Sequence, residues 1–259
     1  MESERPRTTI KAPSPAPLVI VVLGIVAAAA GSLYWFLGKA PPPPSSASAA
    51  TPAPPEPSAE ATSPVVNPEN QRKLLEAVSP DPALRALLAA PELARRWAVA
   101  VENLANDVVP RKQLDALAPA GPFSVMRKGA GTVIDPQSYR RYDRMGDVVA
   151  SVNVDALVIV YAALRPALEA AYRALGYPDG SLDKAATRAL HRIELAPVRD
   201  EEIPVVEGTG ATWSFADPAL ERLGDVDKQI LRMGPRNGRI LQAKAREIAA
   251  ALGLGGPAR

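Results

Sequence analysis

The apolar and polar positions divide the chain into three textures. From Leu18 to Leu37 the sequence LVIVVLGIVAAAAGSLYWFL runs for twenty positions without a charge. At about 1.5 Å rise per residue, that length matches a hydrocarbon core about 30 Å thick. The run predicts a transmembrane helix over residues 18–37, ending in the interfacial aromatics Tyr34, Trp35 and Phe36. Arg5, Arg7 and Lys11 precede it and Lys39 follows, after which no Lys or Arg appears until Arg72. The positive-inside rule then leaves a basic tail, residues 1–17, in the cytoplasm and everything after the helix outside it. A cleaved signal peptide is the competing reading, since Ala27 to Gly31 offers small residues. The apolar run continues past those alanines, which favours the anchor.

The second texture, residues 38–67, has no periodicity. Ten prolines lie between Pro41 and Pro68. Proline fixes φ and removes a backbone donor, so the segment is expected to be an extended linker. Thirty such residues reach roughly 90 Å as polyproline II and average roughly 30 Å as a coil.

The third texture, residues 68–253, is periodic, with residues 254–259 left as a disordered tail. Asn67-Pro68 opens a first helix. After Pro91, Leu93, Trp97, Val101 and Leu104 form one helical stripe. Between Val108 and Ile134, Pro and Gly interrupt the pattern and leave short extended pieces such as Phe123 to Met126, with Gly129-Ala130-Gly131 as a turn. Asp135-Pro136 is a cap-and-proline entry to a helix running towards Ala150. A longer helix starts at Asp155, with the stripe Leu157, Tyr161, Leu164, Leu168, Tyr172 and Leu175, a bend expected at Pro166 and a stop at Gly176. Ser181 is read as the cap of a helix to about Ile193. Pro204 to Phe215 has β texture, Asp217-Pro218 opens a helix through LERLGDVDKQILRM, and a last helix follows Gly234-Pro235 and ends at Gly253. The expected fold class is mainly α: a single-pass transmembrane helix plus a multi-helix periplasmic domain with minor β.

Composition narrows the chemistry. With 30 Lys+Arg against 28 Asp+Glu there is no net field to attract nucleic acid. The absence of cysteine excludes disulfides, thiolate nucleophiles and Cys-based zinc sites, and a single histidine, His191, excludes a multi-histidine metal site within the chain.

Several phrases in combination carry a family likeness: ARRWAVAVENLAND, GPF at Gly121 to Phe123, IDPQSYRRYDRM, YAALRPALEAAYRALGYPDG and FADPALERLGDVDKQILRMGPRNG. From about Glu92 to Leu252 the chain resembles the proteobacterial domain-of-unknown-function family numbered 3014. The resemblance implies an N-terminal anchor, a proline-rich spacer and a Gram-negative envelope location. It implies no activity, cofactor or catalytic residue.

Candidate chemistry is sparse. His191 is expected on a helix surface, and no nucleophile-elbow or zinc-peptidase motif is present. Asp143 with Asp147, and Asp217 with Glu221, are carboxylate pairs one helical turn apart. The most distinctive cluster is Arg232, Arg236 and Arg239, whose spacings of four and three put them near one face at a helix start. Arginine there opposes the helix dipole. Either Asp225 or Asp227 compensates, or the cluster is an anion- or partner-binding site. No catalytic residue, metal or cofactor is assigned. The reading is an inner-membrane-anchored interaction or scaffold module that contacts lipid through residues 18–37 and binds an envelope protein or cell-wall partner. The alternative is a periplasmic hydrolase dependent on carboxylates or a metal. A signal-transducing sensor is disfavoured by the short segment before the anchor.

Overall fold

A computed structural model describes residues 73, 76–88, 92–113, 117–119, 121–209 and 212–254. The expectations for residues 1–17, 18–37, 38–67 and 255–259, and the helix entry at Asn67-Pro68, lie outside the described residues. Among the described residues, no single helix is long and apolar enough to cross a membrane.

The described chain is mainly helical with two small hairpins. Helix α1 (Pro82–Leu88) is capped by Asp81, whose carboxylate accepts the Ala83 amide at 2.8 Å. Helix α2 (Leu93–Ala105) buries the anticipated stripe of Leu93, Trp97, Val101 and Leu104. Strands β1 (Val125–Lys128) and β2 (Gly131–Ile134) pair antiparallel, and Gly129 turns between them at φ 60°. Helices α3 (Pro136–Arg140) and α4 (Asp143–Ala150) follow, then α5 (Val154–Ala174) and α6 (Ser181–Leu195). Strands β3 (Val205–Glu207) and β4 (Trp213–Phe215) form the second hairpin. The chain closes with a short α7 (Pro218–Glu221) and a long α8 (Asp225–Ala251).

Helix α8 packs along α6 and α4, and α2 packs on α6 and α5. The main core lies between them and includes Trp97, Leu104, Leu157, Leu190, Ile230, Leu241 and Ile248. A second cluster joins the hairpins to α8 through Phe123, Ile134, Ile203, Val205, Phe215, Leu220 and Leu231. The hairpins are stitched to each other where the Ile134 amide donates to the Ile203 carbonyl at 3.0 Å. Burial of both clusters is the main source of stability.

Several local expectations need correction. The helix expected from Asp135 to Ala150 is two helices. Asp135 caps the first by accepting the Gln137 amide, as the sequence suggests. The Tyr139 carbonyl then accepts from Tyr142, three residues on, and from the Asn237 side chain, so the regular ladder stops there. The break lets Tyr142 drop fully into the core. Helix α5 is capped by Asn153, which accepts the Ala156 amide, and so begins just before the expected Asp155. It runs on through Pro166, whose ring lies on the exposed face. It stops at Gly176 with φ 92°. Ser181 is not a cap: Gly180 holds that position at φ 73°, and the Ser181 hydroxyl donates to the Pro178 carbonyl.

The largest correction concerns Asp217-Pro218. Asp217 does cap a helix, accepting the Ala219 amide at 2.8 Å, but α7 ends at Glu221. A separate helix starts at Asp225, and its cap comes from far away in sequence. Asp107, at φ 63° just beyond α2, accepts the amides of Asp225 and Val226 at 3.2 and 3.1 Å. Arg192 of α6 steadies that carboxylate at 3.3 Å. Gly224 permits the approach, since a Cβ there would stand 2.0 Å from an Asp107 carboxylate oxygen. One carboxylate thus ties the end of α2, α6 and the start of α8 together.

Replacing Asp107 with Ala should lower unfolding free energy by about 1–2 kcal/mol, the range for losing a helix cap. Asp107→Asn should retain most of it, because asparagine both caps and tolerates positive φ. Urea denaturation of the two variants checks this. Equal losses would show that the Arg192 ion pair, rather than the cap, is what matters.

Candidate functional site

The candidate arginines flank a break in α8. Proline inside a helix loses a hydrogen bond and clashes with the preceding turn, whereas at a first helical position neither matters. Gly234 resolves the conflict at Pro235 by leaving the helix, with φ 77° and ψ 170°, a conformation open essentially only to glycine. The second half of α8 then restarts at Pro235, in keeping with the expected start after Gly234-Pro235. Leu241, Ala245 and Ile248 are buried along it, Leu252 packs at the edge, and Gly253 ends it at φ 68°.

The bare face of Gly234 receives the ring of Tyr139, and a Cβ there would lie 2.4 Å from the ring. Burial holds the Tyr139 phenol up at about 12, with the Glu202 charge adding to the shift, so it stays neutral. One turn on, Asn237 is buried in the crossing of α3, α4 and α8. Its amide nitrogen donates towards the Tyr139 carbonyl (3.2 Å), an Asp143 carboxylate oxygen (3.0 Å) and the Met233 carbonyl (3.1 Å). Its own oxygen accepts from Arg236 at 3.1 Å. Gly146 makes room on α4, because a Cβ there would fall 2.3 Å from the Asn237 oxygen. Buried polar groups of this kind fix how helices align, since any slip leaves them unsatisfied.

The three arginines take three different sets of partners. Arg236 donates to Asp147 at 2.6 Å and to Asp143 at 3.4 Å, and these bonds raise its already high pKa. Arg239 pairs with Asp200 at the surface, which lowers the pKa of that carboxylate below its usual range. Arg232 has no carboxylate within ion-pair distance among the described residues. Its guanidinium lies 4.7 Å from the Phe215 ring centroid and donates to the Trp213 carbonyl at 3.3 Å. Burial lowers its pKa, with the nearby charge of Glu221 working the other way. Among the described residues neither Asp225 nor Asp227 forms an ion pair with these arginines, and the Asp225 charge acts on Arg232 only at longer range. Asp225 instead faces Lys228 at 3.8 Å.

The carboxylate pairs are likewise committed. Asp143 and Asp147 hold Arg236. Asp217 caps α7, and Glu221 accepts the Phe215 amide at 2.8 Å while facing Lys228 at 3.7 Å. Among the described residues, no three His, Asp or Glu side chains converge as a metal-ligand set. His191 sits half-buried on α6.

Sequence reasoning missed Asn237, Asp107 and the group around Tyr142. The Tyr142 hydroxyl accepts from Gln229 at 3.1 Å and from Arg141 at 3.2 Å. The one sequence signal for the Asn237 crossing was Gly146, a glycine inside a helical segment, where close approach of another element is a standard cause.

Fold and site together define a mainly helical domain with two hairpins, in which Arg144, Arg165, Arg192, Arg236 and Arg246 link separate segments through carboxylates. Residues 93–249 match the model of the family described as "protein of unknown function (DUF3014)", and the chain belongs to that family. No curated protein and no solved structure matches it.

Two substitution pairs separate buried from exposed contributions. Asn237→Ala should cost about 2 kcal/mol or more by leaving buried acceptors unsatisfied. Arg236→Ala, at an exposed ion pair, should cost less than about 1 kcal/mol. Gly234→Ala should cost about 3–5 kcal/mol, combining backbone strain with overlap onto Tyr139. Gly129→Ala, also at positive φ but with nothing within 4 Å of its Cβ, should cost only about 1–2 kcal/mol. Thermal and chemical denaturation of the four proteins checks the ranking.

Proposed function

We propose that the chain is an inner-membrane-anchored interaction module of a proteobacterial envelope. Its helical domain is held in the periplasm by a proline-rich tether to bind an envelope protein or a cell-wall component. The observation that carries this reading is the uncharged run from Leu18 to Leu37, set between a basic tail and ten prolines. Such a run partitions into lipid, and the basic side stays in the cytoplasm. The tether raises the effective concentration of the domain near the membrane while leaving it free to reach a partner. The packing of the domain supports a rigid body: Asp107 and Asn237 lock distant helices into one register.

The hydrolase alternative needs a carboxylate pair free to take a proton or a metal, and no specific observation favours it. The Arg236 and Arg239 ends of the arginine cluster are engaged by Asp147 and Asp200, so binding through this face centres on Arg232.

A periplasm-dependent reporter enzyme fused after Arg259 should be active in cells, and the full-length protein should stay with the membrane fraction after alkaline extraction. Activity only from a cytoplasm-dependent reporter would reject the topology. Release of a shortened soluble form would reject the anchor. Crosslinking of the full chain in cells should recover an envelope partner, and recovery of the chain alone would reject the interaction role.

A further inference from the structure

Helix α5 is apolar on two sides. Its inner face buries Leu157, Val160, Tyr161, Leu168 and Tyr172, where it packs on α2, α6 and α8. Its outer face exposes Ile159, Ala162, Ala163, Pro166 and Ala170, with Ile159 56% accessible. A surface helix ordinarily turns polar residues to water. The neighbours do so, with Lys184 and Arg188 outward on α6 and Arg236, Arg239, Arg246 and Glu247 outward on α8. On α5, Arg165 and Glu169 stand at the margin of the outer face and hold each other at 2.9 Å.

Opposite charges close the two ends of this face. Asp155 in the first turn of α5 and Arg173 in the last are both exposed. They are eighteen positions apart, which at about 3.6 residues per turn is five whole turns and about 27 Å, so they lie on one line along the helix. Ile159, Ala162, Pro166 and Ala170 fall within about 60° of that line. Asp155 has no ion-pair partner among the described residues. Arg173 meets Asp179 through Nε at 2.7 Å, and both of those side chains are mostly exposed.

A face of this kind is complementary to itself. A second α5 laid antiparallel, about a two-fold axis between Ala162 and Pro166, brings its Arg173 to Asp155 and its Asp155 to Arg173, and seats Ile159 beside Ala170. The short side chains between the charges let the two helix axes approach to about 8 Å. A lipid surface would favour a basic margin and offers Asp155 nothing. We propose that α5 is the contact face of a two-fold homodimer, packed antiparallel on α5 of a second copy with the Asp155–Arg173 pair made twice. One helical face is a small interface, so the dimer is a reversible one. The inference goes beyond the proposed anchor and partner and does not rest on them.

The chain has no cysteine, so Ala162→Cys places a single thiol beside the axis. A short, membrane-permeant bifunctional maleimide, added to intact cells expressing the full chain, should convert this variant to a species of doubled mass. Glu207→Cys, an exposed site on β3, should crosslink at least about tenfold less, as a random collision does beside a held contact. In the Ala162→Cys background, Asp155→Arg or Arg173→Asp alone turns two attractions into two repulsions and should lower crosslinking about three- to tenfold. The two reversals together restore both pairs and should bring it back to within about twofold of the parent. Both positions are exposed, so each purified variant should keep the parent's melting temperature, which separates a lost contact from a lost fold. No crosslink from Ala162→Cys, equal crosslinking from Glu207→Cys, single reversals without effect, or a combined variant no better than either single reversal overturns the dimer. A face covered by lipid or by another protein would give the first of these. The reagent reaches both sides of a membrane, so failure here and failure of the anchor are separately visible.

Discussion

A proline in the middle of the longest helix sets the terms for the rest of the structure. Pro235 would cost a continuous helix a hydrogen bond and a clash with the preceding turn, and the chain here leaves helical geometry at Gly234 and restarts. The glycine surface exposed by the break is where Tyr139 packs. That contact places α3 and makes the Tyr139 carbonyl available to Asn237. Asn237 in turn holds Asp143 at the start of α4. The two halves of α8 can then serve different neighbours: Leu231 joins the hairpin cluster, while Leu241, Ala245 and Ile248 pack into the main helical core.

The periodic parts of this architecture were legible in the sequence because burial and period coincide there. The α2 stripe is buried at every predicted position, and Gly176, Gly253 and the Asp135 and Asp217 caps act as their residue types suggest. What escaped prediction depends on partners distant in sequence. Nothing near Gly224 announces that Asp107 will cap the next helix. The LERLGDVDKQILRM segment reads as one helix for that reason. The division of the Asp135 to Ala150 segment likewise depends on an asparagine 98 positions beyond Tyr139. Local propensity has no access to either.

The arginine cluster shows the same limit from the chemical side. Spacings of four and three suggested one helical face for Arg232, Arg236 and Arg239, but the helix breaks at Gly234 between the first and the second. The spacing could not reveal that Arg236 would be absorbed by α4 and Arg239 by Asp200, leaving one member against an aromatic ring. In a chain with nearly balanced charge, individual arginines say little; what distinguishes them is the company tertiary structure gives them.

The Asp107 contact also bears on how the domain assembles. The carboxylate and the amides it satisfies are 118 and 119 positions apart. Closing a loop that long costs roughly 4 kcal/mol in chain entropy before any contact is gained. The start of α8 therefore has little reason to settle until α2 and α6 are already together. On a ribosome, where α2 emerges well ahead of α8, the faces of α6 and α4 that α8 covers stay open until it arrives, leaving an interval in which a holding factor would find apolar surface to protect.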